Sequence, residues 1–295
     1  MDSTEKLLLS LASKKAAYVM RSVLPQNSVK LQITFSEITD IIIETRTEKT
    51  CWTLLKIFNS SKTPVFKLSG DVIFQWEGPN FELNGSVKSL ISHFAIAFHP
   101  TIAMLFGHGC REDFMMEMMN HVKELNLAKT SLEISMSSLS PANYKFVLDE
   151  CNQVSKLRLF CKIAPEFQFR AGPDFKVEEL VVGDGHWMHL EDFSNCKKVT
   201  VLNCTGHKQP KYADPEMTRA LIRKWIESEE DDCVLEHLEI CSDPNDFGSV
   251  LAGLEYTTIE LTAKLETVEI TRRSDEKKAV VKCGEKMFQF NVIID

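Results

Sequence analysis

Apolar residues recur along this chain in one spelling: apolar, two free positions, apolar, one free position, apolar. The stretch Val234-Leu235-Glu236-His237-Leu238-Glu239-Ile240 shows it most fully, and copies lie at Val154…Leu157-Arg158-Leu159 and Val177…Leu180-Val181-Val182. Further copies are Cys196…Val199-Thr200-Val201 and Leu265…Val268-Glu269-Ile270, with a looser one at Leu132-Glu133-Ile134. Their middle apolar positions are 132, 157, 180, 199, 238 and 268, so the steps run from 19 to 30 residues except for one of 39. Repeats of about 20–29 residues characterise leucine-rich-type solenoids, in which each unit adds a short strand and a return. Alternate residues of a strand point to opposite faces, so the apolar positions predict a core face and those between them a second face. That second row comprises Ser131, Glu133, Lys156, Arg158, Glu179, Val181, Lys198, Thr200, His237, Glu239, Thr267 and Glu269. Strands buried on both faces seldom keep so many charges, so the row is expected to meet solvent.

The remaining pattern fills in the elements around these strands. Residues 3–24 read as a helix capped by Ser3 or Thr4, with Leu7, Leu8, Leu11, Ala12, Tyr18, Val19 and Val23 as its apolar positions, ending at Leu24-Pro25. Alternation at Val29, Leu31, Ile33, Phe35 and onward to Trp76, broken by turn-forming clusters, predicts a small antiparallel sheet of four or five strands over 28–83. Helical spacing returns at 86–98, and at 111–125 with Phe114, Met115, Met118, Met119, Val122 and Leu125 on one stripe. Ile102-Ala103-Met104 between them reads as a first repeat strand. Ser140-Pro141 and Asp214-Pro215 each open a helix with a capping side chain and proline in the first turn. Residues 265–272 and 279–283 read as a hairpin, followed by a last strand through Phe288, Phe290, Val292 and Ile294. The expected fold is α/β, with a short N-terminal helix (1–25), a small antiparallel sheet (28–83), and an irregular leucine-rich-repeat-like solenoid (86–295) ending in a β-hairpin.

Composition narrows the function. The net charge is −8, which argues against a nucleic-acid partner, since that would require a basic surface. Nine cysteines is an odd number in a chain of 295 residues, too long to need disulfides. Several follow apolar strands, which suits reduced thiols in the cytoplasm or nucleus. Neither a secretory leader nor an apolar run of membrane-spanning length is expected, because Asp2 and Glu5 precede the N-terminal leucines and Ser10 and Ser13 interrupt them.

Chemistry-bearing clusters are few. Asp184, His186 and His189 could start a metal site, but a zinc site needs a further ligand, and a surface turn anchored by Trp187 fits as well. Gly107-His108-Gly109-Cys110 places a histidine beside a thiol, whereas cysteine nucleophiles normally take their histidine from far along the chain. No phosphate loop, dinucleotide fingerprint, serine elbow or His-Glu-x-x-His motif is present, so no cofactor, metal or catalytic residue is expected. The second-face positions of the repeated strands, led by Glu133, Lys156, Arg158, Glu179, Lys198, Thr200, His237 and Glu239, are the candidate partner-binding residues. A solvated face without a partner is the plain alternative.

Three stretches carry a family resemblance. They are Leu9-Ser10-Leu11-Ala12-Ser13-Lys14-Lys15-Ala16-Ala17-Tyr18-Val19; Gly185-His186-Trp187-Met188-His189-Leu190 followed by Cys196-Lys197-Lys198-Val199-Thr200-Val201; and Leu221-Ile222-Arg223-Lys224-Trp225 leading to Leu235-Glu236-His237-Leu238-Glu239-Ile240. Together they resemble the nematode F-box proteins that carry a type 2 F-box-associated domain. The resemblance implies a non-catalytic substrate-recognition subunit of an SCF-type ubiquitin ligase, which binds a target protein through the associated domain. It also implies contact with a Skp-family adaptor through Leu8, Leu9, Leu11, Ser13, Lys14 and Lys15. Only about 20 residues precede the sheet, so this contact carries over for the last F-box helix alone, and a stand-alone interaction scaffold of the same fold is the alternative.

Overall fold

The computed structural model describes residues 10, 13–36, 39–44, 49–55, 65–68, 73–75, 83–202, 215–229, 233–241, 247–261, 265–284 and 287–293. The chain is mixed α/β and divides into two compact units, Met1–Met136 and Ser137–Asp295. The sequence reading breaks it instead at 25–28 and 83–86.

In the first unit, helix α1 spans Lys14–Val23. Ser13 caps it by accepting the Ala16 N–H at 3.1 Å, which satisfies one of the donors a helix leaves unpaired at its start. Leu24 adopts the extended backbone that a following proline imposes. The face that α1 buries is Ala17 and Met20, not the predicted Tyr18, Val19 and Val23, which are 58%, 50% and 71% exposed. Strands β1 (Lys30–Phe35), β2 (Thr39–Glu44), β3 (Lys49–Leu55), β4 (Val65–Leu68) and β5 (Ile73–Gln75) form the expected antiparallel meander. Helix α2 (Leu83–Phe98) leads into β6 (Thr101–Phe106), which pairs parallel to β1. Helix α3 (Glu112–Glu124) leads into β7 (Lys129–Ile134), parallel to β6. Met115, Met118, Met119 and Val122 are buried as their helical spacing requires.

The second unit holds the clearest repeats. Helix α4 (Pro141–Glu150) starts at Ser140, whose hydroxyl accepts the Asn143 N–H, and buries Tyr144, Val147 and Leu148. Strands β8 (Lys156–Leu159), β9 (Glu179–Val182), β10 (Lys198–Val201) and β11 (His237–Ile240) pair side by side, parallel and in chain order. Across them Leu157, Leu180, Val199 and Leu238 form one buried row, and Leu159, Val182, Val201 and Ile240 a second. The long step of 39 residues hides no strand among the described residues, because β10 and β11 pair directly and helix α5 (Pro215–Glu227) lies between them in sequence.

The last template copy, Leu265…Ile270, departs from the series. It forms β13 (Leu265–Thr271) in an antiparallel meander with β12 (Thr257–Leu261), β14 (Lys278–Gly284) and β15 (Met287–Val292). A half-buried antiparallel strand spells the same alternation as a repeat strand, so pattern alone does not separate them. Strand β15 pairs with both β14 and β11 and so joins the meander to the parallel ladder.

Two buried clusters hold this unit together. Trp187 is fully buried and meets Tyr144, Phe167, Phe169 and Phe193 edge-on, at ring distances of 5.5 to 6.0 Å. Residues 183–188 are all buried, so the expected surface turn is a core loop. Aromatic edges on one large ring contribute packing area and favourable quadrupole contacts. In the second cluster, Trp225 of α5 meets Phe290 of β15 at 5.2 Å, and the Arg272 guanidinium lies 5.5 Å from the Trp225 ring centre. The β13–β14 turn closes the end of α5: Arg273 N–H donates to the Ile226 carbonyl and the Ser274 hydroxyl to that of Ser228. These bonds satisfy carbonyls that a helix leaves open at its last turn. At the end of α5, Glu227 and Glu229 are exposed and Ser228 is buried.

Candidate partner-binding face

The apolar positions of β8–β11 turn into the core, so their first and third residues project from the opposite side of the sheet. In-register pairing sets these residues in two rows. One runs Lys156, Glu179, Lys198, His237 and then Asn291 of β15; the other runs Arg158, Val181, Thr200, Glu239 and then Gln289. Seven of the eight candidate partner-binding residues thus share one surface of the second unit. Lys156 and Lys198 are exposed, while Arg158, Glu179, Thr200, His237 and Glu239 are half-buried. The eighth, Glu133, lies on β7 in the first unit, where it accepts the Ser135 hydroxyl at 3.3 Å.

Glu179 is the hub of the basic end. One carboxylate oxygen accepts from Arg158 at 2.6 Å and the other meets the Lys156 ammonium at 3.0 Å. The Arg158 hydrogen bond, followed by that of Lys156, holds the Glu179 carboxyl below its usual range, so it stays ionised between its two cations. At the other end His237 Nδ1 lies 2.6 Å from the Asn291 side-chain oxygen, and its Nε2 lies 3.6 Å from Glu239. Cys241 donates its S–H to the same Glu239 at 3.6 Å. Lys198 lies between the two clusters in its row, with neither an ion pair nor a side-chain hydrogen bond among the described residues.

Besides Glu133, three members of the predicted row fall elsewhere, the first being Ser131 on β7. Thr267 of β13 is 5% exposed and buried, and Glu269 pairs with Lys278 at 2.8 Å within the meander. Asn291 and Gln289 are the face residues the sequence reading missed. Alternation around Phe288 and Phe290 signals which way they point, but nothing local says that β15 lies beside β11.

For the adaptor-side residues, the structure places Ser13 as the α1 cap and leaves Lys14 and Lys15 exposed. Leu8, Leu9 and Leu11 lie outside the described residues. The signal missed here is apolar exposure: Tyr18, Val19 and Val23 stand out from α1 beside these lysines in sequence.

The other candidates resolve into structural roles. His186 and Asp184 are both buried, with Nδ1 2.6 Å from the carboxylate and Nε2 3.2 Å from the Ala164 carbonyl, so the ring is engaged at both nitrogens. His189 precedes a short 3₁₀ turn, Leu190–Phe193. Among the described residues no group of three metal-ligating side chains is arranged around a common point. Burial pushes the Cys110 thiol up to about 11, the reverse of what a thiolate nucleophile needs. No disulfide joins the described cysteines. His121 of α3 meets Ser92 at 2.9 Å, but its Nε2 also lies 3.1 Å from the Lys88 carbonyl. A ring nitrogen that donates to a carbonyl cannot take a proton from the serine, so this contact ties α3 to α2.

No family model matches the chain, and neither a curated protein nor a solved structure matches it. No described helix is long and apolar enough to cross a membrane.

Proposed function

We propose that this chain is a non-catalytic substrate-recognition subunit of an SCF-type ubiquitin ligase, of the F-box kind with a type 2 F-box-associated domain. In this reading the second unit is an irregular leucine-rich-repeat-like solenoid that holds a target protein on the polar face of β8–β11. Helix α1 is the last F-box helix and meets the Skp-family adaptor. Ubiquitin transfer happens on other subunits.

The observation that carries the binding reading is the in-register polar face, where four parallel strands in chain order keep charged, imidazole and hydroxyl side chains, with Val181 as the one apolar member, opposite a wholly apolar core row. Sheets with apolar residues on both faces are the norm where helices cover both sides. The adaptor reading draws support from the three resembling stretches and from Tyr18, Val19 and Val23. Large apolar side chains more than half or about half exposed on one short helix suit a docking surface.

The test is a pull-down of purified chain with a Skp-family adaptor, beside Tyr18→Asp with Val23→Asp. Both substitutions are at exposed positions, so folding is expected to survive them. The expected result is capture of the adaptor by wild type and its loss in the variant. Failure of the wild type to bind would replace the ligase assignment with the stand-alone scaffold.

A further inference from the structure

We propose that the open edge of β12 takes up an extended segment of a partner protein as an added strand, with basic and apolar residues in alternation. This goes beyond the ligase reading and needs neither the adaptor contact nor the face of β8–β11 to bind.

The edge itself is the first observation. Strand β12 pairs with β13 on one side and ends the strand order of the second unit, so no described strand pairs with its other side. An edge strand turns the N–H and C=O groups of alternate residues away from its partner, which makes them a template for another chain. Thr257, Thr258, Ile259 and Glu260 are all exposed. Lysine and proline, which commonly guard such an edge, are absent from residues 255–261.

Register fixes what each side of an added strand meets. Residues directly opposite one another in a ladder share a face. Thr258 stands opposite Val268, which is buried, and so carries the apolar face of β13 out to an open edge. Thr257 and Glu260 stand opposite Glu269 and Thr267. They share the other face although an even number of residues separates them, because a bulge between Thr258 and Glu260 takes up the extra residue. That is also the face of His237 and Glu239, carried in register across β15, β14 and β13. An added strand sets its alternate residues on these two faces. Apolar ones extend the Val268 side, and basic ones lie beside Glu260.

Charge selects the occupant. Glu255 and Glu260 are exposed and without an ion pair among the described residues. Edge-to-edge pairing of two copies of this chain would bring the glutamates of both into one ladder, where like charges destabilise pairing. Lysines or arginines on the incoming strand stabilise it instead. Tyr256 and Ile259, 49% and 56% exposed, leave apolar area at the same edge for the intervening residues to cover. In strand addition the main chain supplies affinity and the alternating side chains supply selectivity.

The experiment uses the full chain and fluorescently labelled peptides of about seven residues, within the usual length of a strand. One alternates lysine with valine, and one alternates glutamate with valine. Two further copies of the lysine peptide carry backbone N-methyl groups, one at every valine and the other at every lysine, so only one of them loses the N–H groups that face β12. Anisotropy titrations are run on wild type, on Glu255→Lys with Glu260→Lys, and on Glu227→Lys with Glu229→Lys, which makes the same charge change at exposed positions at the end of α5. The expected result is that the lysine peptide binds wild type and the α5 variant alike, and binds the β12 variant about tenfold or more weakly. One N-methylated peptide should lose binding while the other keeps it. Glu260→Gln, a single change at an exposed site, should weaken binding in the same direction and serves if the double variant fails to fold. Equal loss in the two double variants would reduce the effect to net charge and overturn the proposal. No binding of the lysine peptide to wild type, preference for the glutamate peptide, or equal behaviour of the two N-methylated peptides would each overturn it too. So would a concentration-dependent dimer in sedimentation that Ile259→Lys abolishes, which would assign the edge to a second copy.

Discussion

The second unit contains two arginine–carboxylate clusters with opposite outcomes. Arg272 is 3% exposed, donates to both oxygens of Asp275 and to the Cys233 carbonyl, and lies over Trp225. Its charge is consumed inside the fold, where it fastens the β13–β14 turn to the last turn of α5. Arg158 makes a contact of similar length to Glu179, and each carboxylate also meets a lysine, Lys156 at 3.0 Å and Lys277 at 3.2 Å, but the Arg158 side chain is 38% exposed. The same pair of groups is a fastener when neutralised and enclosed. At a surface that solvent reaches, it contributes less to stability. Enclosure, not the identity of the residues, decides between these roles.

The strongest way to break the first cluster is Trp225→Ala, which removes the buried ring that Phe290 and Arg272 both touch. It should cost about 3–5 kcal/mol in denaturant unfolding. An unchanged midpoint would place the ring outside the core. Arg272→Ala comes next at about 1–3 kcal/mol, since it removes the hydrogen bonds to Asp275 and the cation over Trp225 while Asp275 keeps Lys277. A loss below about 1 kcal/mol would put this pair in the same class as surface bridges.

Acid should separate the clusters further. The Arg272 hydrogen bond holds the Asp275 carboxyl well below its usual range. A carboxyl depressed on folding contributes stability that is present above its unfolded value, about pH 4, and is lost as pH falls through the lower folded value. Melting temperatures should therefore fall below pH 4, and the slope should flatten in Asp275→Asn. Glu179 is depressed in the same direction, but on a surface where solvent screens the pair, so Glu179→Gln should alter that slope much less. The smallest effect is expected from Arg158→Gln, under about 1 kcal/mol in stability. A large loss of stability would show that Arg158 belongs with the fasteners.

Local pattern told much of this architecture, and its failures share one cause. The alternation at Leu157/Leu159, Leu180/Val182, Val199/Val201 and Leu238/Ile240 located the four parallel strands and their polar row, because a strand's period is a property of the strand itself. The Ser140-Pro141 start of α4 was legible for the same reason, since capping involves neighbours in sequence. Pairing is different. That Asn291 and Gln289 complete the face follows from β15 lying beside β11, a contact between residues about 50 positions apart. Likewise, Tyr18 and Val19 look like core residues of an amphipathic helix. What α1 packs against decided that Ala17 and Met20 go inside. A surface turn anchored by Trp187 fits the local sequence, yet the loop is buried, with the His186 ring engaged by Asp184 beside it and by the distant Ala164 carbonyl.

Strand β15 is the latest of the sheet's described strands in sequence and yet lies inside the second unit, flanked by β11 and β14. A ribosome delivers residues in order, so β11 and β14 emerge first and each waits with an unpaired edge. Unpaired edges are templates for misassembly with other chains. During synthesis this protein therefore passes through an interval in which its parallel ladder is complete but unsealed, and a nascent-chain chaperone has two adjacent edges to shield until Met287–Val292 emerges.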